Sequence, residues 1–500
     1  MRKKRLLYNT GSSLFLQVTS IICGFIVPRL ILEYYGSGVN GLVNSITRFI
    51  AFISFLEFGV GAVVQSELYK PLAEGNNIQV SRIVVSAQRF FSTLAKIMLG
   101  YIVLLLIIYP GIVKNNFGVL YSATLIIVIS ISSFAQYYFG IVNSLLLNAD
   151  QNGYVQYSIQ SVTLILNTIA CLLLMKMGQG IHVVKMVTSM IFILRPLLIK
   201  LYVDKHYNID RNIIYNEEPI KQKWNGVAQH ISAIVLDNTD TVVLTLLSTL
   251  SNVSIYSVYH LVVYGVKQIF TTITNGIQSL FGELWAKKEF DELIKVFSWT
   301  EWIIHSFIVF AFGCTLVLIC PFVQVYTKGI EDANYLVPVF AILITLANAF
   351  HGLRLPYICM IFAGGHYKET QNNFIIASAV NLIISLVTVH FWGLIGVAIG
   401  TLVAMTYQTI WMAWYISKNL VKWPFKKFIK QLAVDILIWI FGYFFTRWIR
   451  MSSVSYMSWL IMAIKVAVCW GIICILINLL IYKIYVVRLF SSIKKQLIKL

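Results

Sequence analysis

The chain alternates between long apolar runs and short polar breaks, and the runs have the length of membrane spans. About 20 apolar residues carry a helix across hydrocarbon. Runs of that order cover 12–32, 40–66, 88–109, 119–146, 156–175, 181–203, 225–248, 255–281, 298–320, 334–358, 372–392, 394–416, 431–449 and 457–486, fourteen in all. Backbone polar groups inside a bilayer must be satisfied within the segment, so such runs predict helices. The expected fold class is an all-α polytopic membrane protein. Composition strengthens this: 58% of residues are hydrophobic and 12% charged, against about 25% charged in soluble domains.

Charge then sets orientation. The net charge of +19 would suggest a nucleic-acid partner in a soluble protein. Here the basic residues cluster between apolar runs, where membrane orientation and anionic lipid explain them and no nucleic acid is implied. With the N-terminus inside, the outer gaps hold four basic residues: Lys114, Lys176, Lys328 and Arg450. The inner segments hold twenty-four: four at 2–5, three at 70–89, four at 205–223, three at 287–295, Lys368, five at 418–430 and four at 488–499. That asymmetry predicts both termini in the cytoplasm, since one misplaced span would scramble the alternation. "MRKKRLLYN" precedes the first run as in a signal peptide, but no small-residue cleavage site follows, and the segment is expected to remain as a span. The seven cysteines form neither a CxxC pair nor a cluster with His at ligand spacing, which indicates neither a disulfide framework nor a metal site.

The polar stretch 204–224, "DKHYNIDRNIIYNEEPIKQKW", divides the chain. It predicts an N-lobe of six helices (1–203), a cytoplasmic linker (204–224), a C-lobe of six helices (225–417) and two C-terminal helices with a basic tail (418–500). Three echoes in order link the halves: "NTGSSL" with "WNGVAQ", "QSELYKPLAEG" with "FGELWAKKEFD", and "LLLNADQNGYVQ" with "MIFAGGHYKETQ". Six spans per half gives repeats of like orientation, pseudo-symmetric about an axis along the membrane normal. The segment 282–296 is expected to lie as an amphipathic helix on the inner leaflet, with Phe290, Leu293, Ile294 and Phe297 toward lipid.

The chemistry lies in charges within the apolar runs, which cost about 3 kcal/mol each on insertion scales and usually mark hydrated pathways. Lys200, Arg447 and Lys483 lie near span ends and can snorkel. Lys267 is mid-span and shares a helical stripe with Tyr256, His260, Val263, Thr271 and Thr274. "AIVLDNTDTVVLTLL" carries Asp237 and Asp240, which share a face with His230 and Thr241. Arg48 lies one turn from Asn44, with Glu57 deeper, and Arg354 one turn from His351. Arg29 follows Pro28, where a kink is expected. Two readings fit these residues: buried ion pairs such as Asp237–Lys267 that fix packing, or the lining of a hydrated cavity between the halves.

Fourteen spans, two repeated lobes, basic residues in spans 1, 2 and 8, and the stretches "GFIVPRLILEYYGSGVNGLVNSITRFIAFISFLEFGVGAVVQSELYKPLAEG" (24–75) and "LDNTDTVVLTLLS" (236–248) resemble the Wzx-type oligosaccharide flippases, the polysaccharide-transporter branch of the MOP exporter superfamily. The resemblance implies alternating access by a cavity whose basic walls hold the diphosphate of an undecaprenyl-linked oligosaccharide. It places Arg29 and Arg48 at cavity positions and Lys267 at a site that tends to be Arg in lipid II flippases. That departure favours an oligosaccharide carrier. Arg354 and His260 join the cationic, substrate-contacting set by position alone, while Asp237, Asp240 and Glu57 are candidates for ion coupling or charge pairing. The setting implied is a bacterial cytoplasmic membrane, in capsule or cell-surface polysaccharide export, with a polysaccharide polymerase and membrane lipids as partners. No cofactor is expected. The absence of GxxxxGK[ST] excludes ATP use through that motif and leaves a proton gradient, a sodium gradient or the membrane potential as driver.

Three alternatives remain open. A lipid II or other lipid-linked precursor flippase uses the same architecture. A multidrug exporter of the superfamily would favour an apolar or acidic pocket. A membrane-embedded glycan polymerase would need catalytic groups on a sizeable outer loop, and the longest outer stretch, 321–335, is short.

Overall fold

A computed structural model describes residues 2–57, 59–113, 116–214, 227–421 and 423–497. The second part of the 204–224 linker thus lies outside the described residues. Among these residues seventeen α-helices follow one another: α1 (Arg2–Ala51), α2 (Val60–Glu74), α3 (Asn77–Val113), α4 (Val119–Ala135), α5 (Ile141–Ala149), α6 (Gly153–Lys176), α7 (Ile181–His206), α8 (Val227–Leu247), α9 (Leu250–Ala286), α10 (Phe290–Tyr326), α11 (Pro338–Leu353), α12 (Leu355–Ala363), α13 (Tyr367–Trp392), α14 (Leu394–Asn419), α15 (Phe425–Thr446), α16 (Tyr456–Ile481) and α17 (Lys483–Leu497). Among the described residues no strand occurs. Among the described residues twelve helical segments are long and apolar enough to cross a membrane, and the chain is an all-α, multi-pass membrane protein. The expected count was fourteen. The run 12–32 and the first part of the run 40–66 fall on one such segment, Leu7–Glu57, the remainder reaching α2, and α9 is not among the twelve.

Several expectations need correction. α1 runs through Pro28, and its backbone leaves the helical region at Gly36 (φ 79°, ψ 177°) instead. The pyrrolidine removes one N–H, which a long helix tolerates; the turn between the first two spans needs a dihedral that glycine supplies. The segment 282–296 is no separate surface helix. It is divided between α9 and α10, and Leu293 and Phe297 are fully buried against Phe281 and Tyr357 rather than facing lipid. The run 457–486 breaks at Tyr482, beyond which α17 begins.

The chain separates into two compact units, Met1–Ser254 and Ile255–Leu500. The division falls inside α9, past the 204–224 linker. Within the first unit α8 packs on α1 and on the 3₁₀ turn Phe52–Glu57. A Cβ on Gly41 would lie 1.9 Å from the Leu250 carbonyl oxygen, so only glycine lets α1 come this close to the start of α9. The core of this unit runs through Leu42, Ile46, Phe91, Leu94, Leu125 and Leu146. The core of the second unit gathers Phe281, Phe297, Met360, Met412 and Phe428.

Candidate functional site

In the first unit the second arm of α1 presents Asn40, Asn44 and Arg48 one turn apart, the spacing that puts side chains on one face. Asn40 donates to Ser254 Oγ at 2.7 Å, and Asn44 donates to the Asn40 carbonyl at 2.9 Å. Ser45, on the same arm, receives Tyr109 (2.7 Å) and Thr245 (2.8 Å). Arg48 Nη1 then donates to Asn238 Oδ1 of α8 at 3.2 Å. Among the described residues no carboxylate pairs with Arg48, whose half-buried guanidinium is met by a neutral amide. A guanidinium carries five donors, so this arrangement keeps the charge available to an anion.

Asn238 stands between the two acids of α8. Asp240 is buried at 2% exposure, whereas Asp237 is exposed. The two carboxylates the sequence put on one face therefore sit in different surroundings. His230, earlier on α8, lies 3.0 Å from the Ser54 carbonyl. Arg29 faces Glu33 one turn on, at 3.8 Å; half of the Glu33 side chain is in the open, so this pair restrains the guanidinium only weakly. Glu57 ends the 3₁₀ turn and accepts the Tyr137 hydroxyl. Beyond it Gly59 adopts a left-handed conformation (φ 74°) before α2 resumes. A 3₁₀ stretch inside a span often marks a hinge, and broken helices are where transporters bind ions.

In the second unit His260 stacks between Tyr256 and Tyr264, with ring centroids 5.5 Å apart on each side. Lys267 Nζ lies over the Tyr264 ring at 5.8 Å. The stripe continues with Thr271 and Thr274, whose hydroxyls bond the α9 backbone at 3.1 and 2.9 Å. Arg354 occupies the break between α11 and α12, is 6% exposed and bonds His351 Nδ1 through Nη2 at 2.8 Å. The two cations come from different helices, Lys267 from α9 and Arg354 from the break between α11 and α12.

A buried network in the second unit escaped the sequence reading. Asp435 on α15 accepts His305 Nδ1 at 2.7 Å and Gln431 Nε2 at 2.9 Å. His305 Nε2 lies 3.1 Å from the Tyr357 hydroxyl, which donates to Glu301 Oε1 at 2.7 Å, while Trp423 donates to Glu301 Oε2 at 2.9 Å. Glu301, His305, Tyr357, Gln431 and Asp435 are all buried. One proton satisfies the row from His305 to Glu301 in either of two ways: both ring nitrogens protonated beside a carboxylate, or one ring nitrogen protonated and Glu301 a neutral acid. The signal is in the sequence, since Glu301 and His305 are one turn apart inside an apolar run and Asp435 lies inside another.

No protein-family model and no curated protein sequence matches the chain. Solved structures do. The lipid II flippase MurJ in its inward closed conformation matches with a TM-score of 0.69 over 96% of this chain and 99% of its own, at 15% identity. An outward-facing multidrug resistance MATE family transporter of the MOP superfamily matches with a TM-score of 0.57 over 83% of this chain and 96% of its own, at 13% identity. A MOP superfamily transporter from Pyrococcus furiosus, described by the reverse polarity of its binding pocket, matches with a TM-score of 0.53 over 83% of this chain and 96% of its own, at 14% identity. At such identities it is the backbone arrangement that is shared. The chain accordingly has the fold of the MOP-superfamily transporters.

Proposed function

We propose that the chain is a flippase that carries an undecaprenyl-diphosphate-linked oligosaccharide across a bacterial cytoplasmic membrane by alternating access, for capsule or cell-surface polysaccharide export. The observation that supports this most is Arg48: a membrane-helix guanidinium whose described partner is the neutral Asn238. A cation held within a membrane helix is costly unless an anion visits it. In the second unit Lys267, and Arg354 bonded to His351, supply further positive charge, and His260 adds a polar ring to the Lys267 stripe. The isoprenoid tail can stay in lipid while the diphosphate and sugar take the polar, cationic route. Arg grips phosphate bidentately, whereas Lys acts as a point charge. Arg29, loosely tied to Glu33, is assigned to the same anionic cargo.

MurJ, which shares the fold, is by its name a flippase for a lipid-linked precursor, and the cargo proposed here is of that kind. The cationic residues weigh against export of cationic drugs. The cycle is driven by a proton or sodium gradient or by the membrane potential, with Asp237, Asp240 and Glu57 as the coupling or charge-pairing acids. A polysaccharide polymerase would consume the product.

The test is glycan export in a strain lacking this chain, restored by the native gene or by variants. Arg48→Ala and Lys267→Ala are expected to insert normally yet lose export, by about tenfold or more for each lost charge-assisted contact. Full export by the double variant at native membrane levels would reject the assignment.

A further inference from the structure

The first unit contains a second basic site, away from Arg29 and Arg48 and independent of the transport reading. A pocket of about 510 Å³ exists in the second unit, but it is lined mainly by apolar groups. A different pocket, about 330 Å³, is lined by Arg89 of α3, Lys200 of α7 and Arg211 just beyond α7, together with Gln88, Tyr138 and Asn143. Three cations converge there from segments far apart in sequence. Arg211 is also held by Asp204, which offsets one of the three charges. The charge pattern reads this end of α3 and α7 as the inner face of the membrane, the level of lipid headgroups.

The wall of the pocket is irregular in a way that exposes polar atoms. A π-helical turn, Gln136–Gly140, interrupts the helical path between α4 and α5, a feature frequently found at functional positions. It carries Tyr138 and Phe139 onto the pocket wall, and Gln88 donates to the Tyr138 carbonyl at 2.6 Å. Lys200 Nζ lies 5.5 Å from the Phe139 ring centre. One turn on, Asn143 is buried at 2% exposure and lines the pocket. Its amide nitrogen donates to the Phe139 carbonyl at 2.8 Å, but among the described residues no donor reaches its buried Oδ1. A buried acceptor without a donor is costly, and beside three cations it calls for a ligand that is anionic and also carries a hydroxyl.

The surroundings decide between a soluble anion and a lipid. Ile97, two turns along α3 from Arg89, is 47% exposed, and Leu197, one turn back along α7 from Lys200, is 38% exposed. Apolar side chains thus continue from the cations along both helices, as acyl chains beneath a headgroup require. We propose that this pocket binds an inner-leaflet phospholipid with an anionic, hydroxylated headgroup. Its phosphate is held by Arg89, Lys200 and Arg211, and a headgroup hydroxyl donates to Asn143 Oδ1.

Native mass spectrometry of the full-length purified protein, titrated with defined lipids, tests this. Phosphatidylglycerol is expected to bind about tenfold or more tightly than phosphatidylcholine, since each basic residue near an anionic lipid raises affinity by a factor of about five. Phosphatidylethanol, which has the same charge and no headgroup hydroxyl, should bind more weakly than phosphatidylglycerol, and Asn143→Ala should erase that difference alone. The triple variant Arg89→Gln, Lys200→Gln, Arg211→Gln should lose the preference for both anionic lipids. The control Arg82→Gln, an exposed inner cation outside the pocket, should keep it. The melting profile of each variant in detergent separates loss of folding from loss of the site. Equal binding of phosphatidylglycerol and phosphatidylcholine, retention by the folded triple variant, or displacement of the lipid by millimolar inorganic phosphate would overturn the proposal.

Discussion

Asp435 offers the sharpest test of how the second unit is held together. Its carboxylate takes hydrogen bonds from His305 Nδ1 (2.7 Å) and Gln431 Nε2 (2.9 Å), and all three residues are buried. Asp435→Leu removes both acceptors without adding a polar group. Leaving a buried donor without a partner costs about 1–3 kcal/mol, so two orphaned donors give roughly 2–6 kcal/mol. Breaking a buried charged pair falls in the same range, about 3–5 kcal/mol. For a unit of this size about 1 kcal/mol shifts melting by 2–4 °C, so the loss amounts to roughly 5–20 °C. Asp435→Asn is the informative companion. Its oxygen still accepts Gln431, and its amide can donate to His305 once the ring proton moves to Nε2. That variant should lose about 1 kcal/mol, one exchanged hydrogen bond. Thermal unfolding of purified protein in detergent, followed by size-exclusion recovery, reads both. An Asp435→Leu protein melting within about 2 °C of native would show that the network contributes little, and the reasoning from buried partners would fail.

Two further outcomes follow from the first unit. Gly41→Ala places a Cβ 1.9 Å from the Leu250 carbonyl, a backbone atom that cannot rotate away; the overpacking should cost about 1–3 kcal/mol and lower melting, while Gly100→Ala, in open space on α3, should not. If these acids couple export to a cation, Asp240→Asn should impair export more than Asp237→Asn, because Asp240 is buried and Asp237 exposed; native-level export by the double variant that keeps its dependence on pH or sodium would count against a coupling role for either.

How much was legible in the sequence depended on what fixes each feature. The helices were legible because a bilayer leaves backbone no other economical arrangement, so each apolar run falls on helix even where its ends or continuity differ. One pairing a single turn apart was legible too: Arg354 meets His351, since helical spacing alone brings them together. Contacts between helices were not. That Arg48 reaches Asn238, or that Glu57 receives Tyr137, depends on which helices pack side by side, and hydropathy carries no record of that. The same holds for the Glu301–Tyr357–His305–Asp435 row, assembled from α10, α12 and α15. Its acids were visible as charges in apolar runs, yet only packing shows that each has its partners. Arg48 differs in kind, because its described partner is neutral. That contrast gives intramembrane charges a physical sorting rule: an acid fully met by buried donors serves first to hold helices together, and a cation met only by an amide keeps its field for something that arrives from outside.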